Sequence, residues 1–504
     1  MERLPCSAVS RDEPNTKGLN LKSPSPTSTN WNNMPKTKAK TVFVCDACGN
    51  ESLKWEGRCS ACEQWNTLVE IRQDKPDNRA RSWVDASSAS ARELSEVSTK
   101  ELPRIRLALN EVNRVLGGGI VPGSLTLISG EPGIGKSTLL LQIAADISST
   151  KGTTLYVSGE ESAAQVRMRA DRLNISGHDL LVLAATDLET VLNQMESHKP
   201  VLVIVDSIQT VYDESLSSGV GSVSQIRECT RRLMEWAKAH DTPVILSGHV
   251  TKGGDIAGPR VLEHMVDVVL YIEGDPISSW RLLRTIKNRF GSTNEVGVFE
   301  MVNDGLLEVE DPSRTFLSER SEGAIGSIVI STMEGSRPLL VEIQALTSPS
   351  MLPTPRRVAT GIDFNRLLLV CAVLTRRGGV PLSNQDIVVN VTGGVKVSEP
   401  AADLGLALAI ASSMRNVPVG VGIAAIGELG LTGEVRRVPQ LERRIQEVAR
   451  LGMTRCVIPG NSPQGPESMG ELKTVPARTL AEAINACIPR EQRRGDGNPF
   501  MPSE

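Results

Sequence analysis

Between residues 101 and 310, short apolar runs alternate with longer stretches of helical character. SLTLISG (124–130), TTLYVSG (153–159), PVLVIVDS (200–207) and TPVILSG (242–248) are too short for helices and are bounded by Gly, Pro or Ser. Buried apolar strands separated by helical segments predict an α/β domain with a mostly parallel sheet and crossover helices. After residue 320, up to about 490, further strands (SIVISTME, PLLVEIQAL, IVVNVTGG, VGIAAIGEL) mix with helices, of which ADLGLALAIASSM is the clearest. That pattern predicts a second domain of α+β type. EDPSRTFLSERSEGAIG (310–326) reads as the boundary, and residues 71–100, polar and without periodicity, read as a linker. Residues 1–41 read as a disordered extension, rich in Ser, Pro, Asn and Thr over its first 33 positions, with Met34 opening a second start. Residues 491–504 read as a flexible tail, and no repeat of solenoid period is present.

A chain of 504 residues suggests about three domains. Aromatic residues are only 3%, so the cores must be built from Val, Leu, Ile and Ala. No run of about 18 apolar residues occurs, which excludes a membrane-spanning helix. A net charge of −4 argues against coating nucleic acid by bulk charge, but it leaves room for a local basic patch. Of nine cysteines, four form two CxxC pairs and five are scattered, the usage of a metal site in a reducing compartment, here the cytoplasm.

Those pairs are Cys45–Cys48 and Cys59–Cys62, spanning residues 42–70 with the flanking strands. Two such knuckles bring four thiolates onto one tetrahedral Zn²⁺ and leave no position open for water, so the metal is structural. A module this small depends on the metal for its folding energy. Trp55 and Trp65 are expected in its small core, with stacking on a base or a partner as the alternative.

Gly130-Glu131-Pro132-Gly133-Ile134-Gly135-Lys136-Ser137-Thr138 is a complete GxxxxGK[ST] loop between a strand and a helix. Backbone N–H groups of such a loop cradle phosphates, the lysine reaches the β and γ phosphates of ATP, and the Ser137 hydroxyl is placed for Mg²⁺. VLVIVD ends in Asp206, a carboxylate placed to hold the Mg²⁺ shell through water. A carboxylate is also needed to orient the attacking water. Glu160, after the next strand, is the first choice, and Glu161 the near alternative. His249 lies where such cores carry a γ-phosphate sensor, although a lone loop histidine is as often only polar.

The order of the four-cysteine finger, GEPGIGKST, SGEES, VDSIQT, GHVTKGG and Lys287-Asn288-Arg289-Phe290-Gly291 resembles the bacterial DNA repair family RadA, from about Val42 to residue 488. The resemblance implies a RecA-like P-loop core, preceded by a zinc-ribbon-like finger and followed by a Lon-protease-like domain. It also implies a hexameric, DNA-dependent, helicase-like ATPase that processes or branch-migrates recombination intermediates. The partners implied are single-stranded and branched DNA and a recombinase of the RecA type. By similarity to hexameric helicases, Lys287 and Arg289 would reach the ATP of the neighbouring subunit and stabilise charge on the transferring phosphoryl. Direct contact with DNA phosphates is the alternative, and a solvated basic turn the plain one.

Residues 395–404 resemble the nucleophile loop of Lon proteases, with Ala401 where the serine would stand. The downstream GELGLTGEVRRVPQLERR aligns Glu442 with the catalytic lysine. A Ser–Lys dyad needs a hydroxyl and an activating amine, and Ser398 is three residues out of place. Arg356, Arg357, Arg366, Arg376 and Arg377 form a candidate phosphate-binding cluster beside a single acid, Asp363. The rival readings are an ATP-dependent Lon-like protease, disfavoured by the missing dyad, and a DNA scaffold that binds nucleotide without hydrolysing it. The finger yields a direct test: Cys45→Ser breaks the closed tetrahedron and should abolish stoichiometric zinc in the purified chain. A mutant that keeps one zinc per chain by elemental analysis contradicts the four-thiolate site.

Overall fold

The structure is a computed structural model that describes residues 40–45, 51–52, 54–60, 63–73, 93, 103–249, 262–274, 279–461 and 468–488. The N-terminal extension up to residue 39, nearly all of the linker after residue 73, the tail, Cys48 and Cys62 lie outside the described residues.

The N-terminal module is an antiparallel sheet in the order β2-β1-β3, with β1 Lys40–Cys45, β2 Glu51–Ser52 and β3 Leu68–Gln73. Residues 71–73, assigned to the linker from sequence, therefore complete β3, where Ile71 faces Val42 and Gln73 faces Lys40. Cys45, Cys59 and Leu68 form its core with Phe43 against them. The tryptophans do not: Trp55 is 58% and Trp65 70% exposed. Both flank Gly57 on the outside of the turn, so the tiny interior is left to sulfur and Leu68.

The central sheet has nine strands in the order β12-β11-β10-β9-β4-β8-β7-β5-β6. Its parallel part comprises β4 Leu125–Gly130, β5 Thr154–Ser158, β6 Leu180–Ala184, β7 Leu202–Asp206, β8 Val244–His249 and β9 Val268–Glu273. Antiparallel strands β10 Trp280–Asn288, β11 Val296–Val302 and β12 Gly305–Glu308 extend one side. Helices α1 Asn110–Leu116, α2 Lys136–Thr150, α3 Ala163–Arg172, α4 Leu188–His198 and α5 Val223–Ala239 accompany it. Two apolar clusters cover the faces. Leu139, Leu140 and Ile143 of α2 meet Ile128, Tyr156 and Ile204, whereas Ile226 and Leu233 of α5 meet Leu127, Val157 and Val205. Alternate residues of each strand thus point into opposite cores, as an all-apolar buried strand requires.

The segment at 310–326, expected as a boundary, contains α6 Pro312–Leu317, which docks on the second domain through buried Phe316. Asp311 caps it by accepting Arg314 N–H at 3.1 Å, and proline suits its first turn. The second domain carries an eight-stranded sheet, β15-β16-β14-β13-β17-β20-β22-β21, and a small hairpin β18-β19. Its strands are β13 Ser327–Glu334, β14 Arg337–Pro349, β15 Arg357–Thr360, β16 Gln385–Val391, β17 Ile423–Ala425, β18 Glu428–Leu429, β19 Val435–Arg436, β20 Arg455–Pro459, β21 Ser468–Met469 and β22 Leu472–Ala477. Its helices are α7 Phe364–Arg377, α8 Asp403–Arg415, α9 Leu441–Arg450 and α10 Leu480–Cys487. The helix read most clearly from sequence, α8, is buried from Asp403 through Ser412, as an all-apolar helix should be. Gly405 permits this, because a Cβ there would lie 2.1 Å from Ile330 Cγ2.

Glu442, aligned from sequence with the Lon lysine, does not face inward in the structure. Glu442 is exposed, and the α9 residue that turns toward the Pro400–Ala402 turn is Arg444, 1% exposed. Its guanidinium binds Glu399 through two contacts of 2.7 and 2.5 Å, Ser331 O at 2.7 Å and Pro439 O at 3.0 Å. Glu399 also accepts Met333 N–H at 2.7 Å. Helical phase explains why Arg444 and not Glu442 is buried, since Arg444, Ile445 and Val448 form the inward stripe of α9. Arg444→Ala should destabilise the domain by about 3–5 kcal/mol, because it leaves a carboxylate without its partner. Chemical denaturation of the full chain checks this, and a loss below about 1 kcal/mol would mean that Glu399 finds water instead.

Candidate nucleotide site

Parallel strands deliver their carboxyl ends to one edge, and the register sets which residues meet there. Gly130 lies opposite His249, and Ser158 opposite Asp206. The loop from Gly130 through Gly135 then turns into α2, so Lys136, Ser137 and Thr138 occupy the helix N-terminus, where free N–H groups favour an anion. Gly135 has φ +116°, and a Cβ on it would come within 2.5 Å of Met301 Cε. Pro132 and Gly133 are exposed, while Ile134 is buried.

Lys136 is only 4% exposed. Its ammonium donates to Gly130 O and Glu131 O, both at 2.9 Å, folding over the loop it serves. Burial lowers its pKa, and the nearby carboxylates of Asp206 and Glu160 push the other way. Asp206 accepts the Tyr156 hydroxyl at 2.7 Å. Burial first, then the neighbouring Asp206 charge, raises the Tyr156 pKa well above the ordinary range, so Tyr156 stays a donor.

The two adjacent glutamates take different directions. Glu160 Oε1 accepts Ser207 Oγ–H at 2.6 Å and stands 3.4 Å from His249 Nε2. Glu161 instead pairs with Arg169 of α3, and its backbone carbonyl accepts Ser158 Oγ–H at 2.7 Å. His249 Nδ1 and Gln209 Oε1 are buried with no hydrogen-bond partner among the described residues. Gln209 Nε2 donates to His249 O at 3.3 Å. Sequence reasoning did not single out Tyr156, Ser207, Gln209 or Arg281. Arg281, buried on β10, holds the loop by donating from Nε to Ile134 O at 3.1 Å. Ser207 had a signal in its place directly after Asp206; Arg281 had none, being 147 residues from its partner.

Lys287-Asn288-Arg289-Phe290-Gly291 stands elsewhere. Because β10 runs antiparallel to β9, Lys287 lies opposite Val269 and Asn288 opposite Val268, at the amino-terminal end of the parallel strands. The phosphate loop follows their carboxyl end, roughly 15–20 Å away along a six-residue strand. Lys287 Nζ donates to Glu263 O at 2.7 Å and Val266 O at 2.8 Å, and Arg289 pairs with Asp267 at 3.1 Å. Burial, then the Arg289 charge, lowers the Lys287 pKa.

The arginine cluster of the second domain is partly consumed internally. Arg366 is bidentate on buried Asp403 at 2.5 and 2.9 Å, and Arg357 donates to Leu382 O and Gln385 O. Only Arg356, Arg376 and Arg377 of the five are exposed. In the finger, Cys45 and Cys59 are buried together beside Leu68, which suits thiolates turned inward to a shared ion. Their CxxC partners are outside the described residues. Among the described residues no helix is long and apolar enough to cross a membrane.

A phosphate loop at the carboxyl edge of a parallel sheet, with carboxylates beside its lysine, defines the class of P-loop ATPases with a RecA-like core. Family comparisons agree: residues 90–255 match the AAA domain, residues 43–70 the rubredoxin metal binding domain, and residues 369–462 the subunit ChlI of Mg-chelatase. DNA repair protein RadA of Listeria monocytogenes is 49% identical over 456 residues, covering 90% of this chain and 100% of that protein. RadA of Bacillus subtilis is 50% identical over 458 residues, again 90% and 100%, and that of Streptococcus pyogenes serotype M1 47% over 449 residues, 89% and 99%. The chain belongs to the RadA family.

The geometry separates the two glutamates experimentally. Glu160→Gln should lower ATP turnover at least about a hundredfold, roughly 2.7 kcal/mol of barrier. Glu161→Gln loses a half-buried ion pair and should change turnover only a few-fold. Steady-state phosphate release from both variants checks the assignment, and the reverse order would place the working carboxylate on Glu161.

Proposed function

We propose that the chain is a cytoplasmic, DNA-dependent ATPase of recombinational repair, working as a helicase-like hexameric ring on single-stranded and branched DNA alongside a recombinase of the RecA type. The observation that carries this reading is the single carboxyl edge on which Lys136, Asp206 and Glu160 converge, in a chain that is about half identical to RadA proteins along nearly its whole length.

In this reading residues 130–138 hold the phosphates of ATP, with Lys136 leaving its carbonyl contacts to reach the β and γ oxygens. Ser137 and Asp206 supply hard oxygen donors of the kind magnesium takes, and the ion would neutralise phosphate charge when bound. Glu160 orients the attacking water, and Ser207 and His249 hold the Glu160 carboxylate in place. Cys45, Cys48, Cys59 and Cys62 close a structural zinc site in the finger. Of the five clustered arginines, Arg356, Arg376 and Arg377 are exposed to meet DNA phosphates. The protease reading is disfavoured, since Ala401 has no hydroxyl and Arg444, paired with Glu399, is a guanidinium rather than an amine. A scaffold that does not hydrolyse ATP would have no use for Glu160 facing Lys136.

Lys287 and Arg289 act in trans in this reading. Their position at the amino-terminal end of their own parallel strands, away from the phosphate loop, supports that role. Phosphate release with and without single-stranded DNA, measured for Lys287→Ala, Asp206→Ala and their mixture, tests both ring and activity. The parent should be stimulated by DNA. Lys287→Ala should bind ATP almost normally and hydrolyse it slowly, because the missing charge is needed most as the phosphoryl transfers. Mixing the two impaired variants, with subunit exchange shown by labelled protein, should restore activity at interfaces that join an intact Asp206 site to an intact Lys287. A mixture as inactive as its components rejects the shared site.

A further inference from the structure

Beside the pentapeptide, on the edge of the sheet remote from Lys136, lies a cavity of about 520 Å³ lined by Pro103, Arg104, Arg106, the Gly117–Gly118 turn and Phe290. Among the described residues no carboxylate lines it. Arg104 is held in position by two neutral acceptors, Leu116 O at 3.1 Å and Phe290 O at 2.7 Å. A guanidinium has five N–H donors, so three remain for a ligand. Among the described residues its charge meets no acidic side chain, whereas Arg289, close by, is neutralised by Asp267. Arg106 is exposed, with neither a hydrogen bond nor an ion pair among the described residues.

The floor of the cavity is backbone. Gly117 has φ +76° and Gly118 φ +112°, and a Cβ on Gly117 would stand 3.4 Å from Gly291 Cα. Left-handed glycines therefore keep side chains out of a space that two guanidinium groups face. Unneutralised paired arginines around an open polar cavity match the fork geometry and charge of a phosphate.

We propose that this cavity is a phosphate-binding subsite separate from the ATP site, taking either a phosphodiester of a polynucleotide or free phosphate. It stands whether or not Lys287 acts in trans, since it requires neither ATP turnover nor a neighbouring subunit.

The test uses the full chain without nucleotide, as parent, Arg106→Gln and Arg106→Glu. Binding of a fluorescent oligo-dT is measured across a salt series, and thermal unfolding is followed with rising inorganic phosphate. Arg106 is exposed, so both variants should melt with the parent when no ligand is present. Loss of one backbone contact should make the log–log salt dependence shallower by roughly 0.7 in Arg106→Gln, with affinity falling for all sequences alike. Arg106→Glu should bind more weakly still. Unchanged oligonucleotide binding together with a smaller phosphate-induced rise in Tm would support the subsite and assign free phosphate as its ligand. Variants that match the parent in both measurements overturn the proposal.

Discussion

The constraint on which the central domain turns is the burial of one positive charge. Lys136 keeps its ammonium where 4% of the residue meets solvent, and a charge so placed must be met by dipoles or opposite charge. Two loop carbonyls supply the dipoles and the Asp206 and Glu160 carboxylates the charge. Each arrives from a different strand end, so the site exists only if the strands lie parallel in one register. Ser158 opposite Asp206 and Gly130 opposite His249 are that register. The apolar clusters on both faces hold it, because a one-residue slip would turn Leu127 and Ile128 into the wrong cores.

Much of this was legible in the sequence because local chemistry carries it. GEPGIGKST announces a strand–loop–helix by itself, VLVIVD a buried strand ending in an acid, and ADLGLALAIASSM a buried helix. What failed to show was whatever depends on a distant partner. Nothing in the spacing of two tryptophans tells whether a small module buries them, and here the cysteines and Leu68 fill the space. The segment 310–326 has linker composition, yet one Phe316 against Trp280 and the second core makes it a docked helix. Arg366 reads as a free cation until Asp403, 37 residues on, is brought beneath it. Glu160 and Glu161 are interchangeable in sequence and separate only when Arg169 and Ser207 are in place.

The two large domains are joined by charge as well as apolar surface. Arg337 reaches buried Glu111, whose second contact is Val298 N–H, and Arg284 bridges Glu273 to Glu334. Such pairs gain little over apolar packing, but breaking one leaves a charge stranded, so they select a single docking geometry. Inside the second domain the Glu399–Arg444 pair has the same effect. It fixes the Pro400–Ala402 turn to α9.

Strand β10 connects these parts. Near its start Arg281 grips the phosphate loop at Ile134 O, and Trp280 packs edge-on against Phe316 of the docked helix. At its middle Arg284 reaches Glu334 of the second domain. At its end come Lys287 and Arg289, tied to the start of β9 through Val266 and Asp267. Strand β10 therefore links the phosphate loop, through Ile134 O, to the pentapeptide at its other end. The bulge between Thr285 and Lys287 is where the strand departs from regular pairing on the way. Regular pairing resists sliding along its whole length, whereas a bulge concentrates bending at one residue. The bulge thus falls between Arg281, which holds the phosphate loop, and the pentapeptide at the end of the strand.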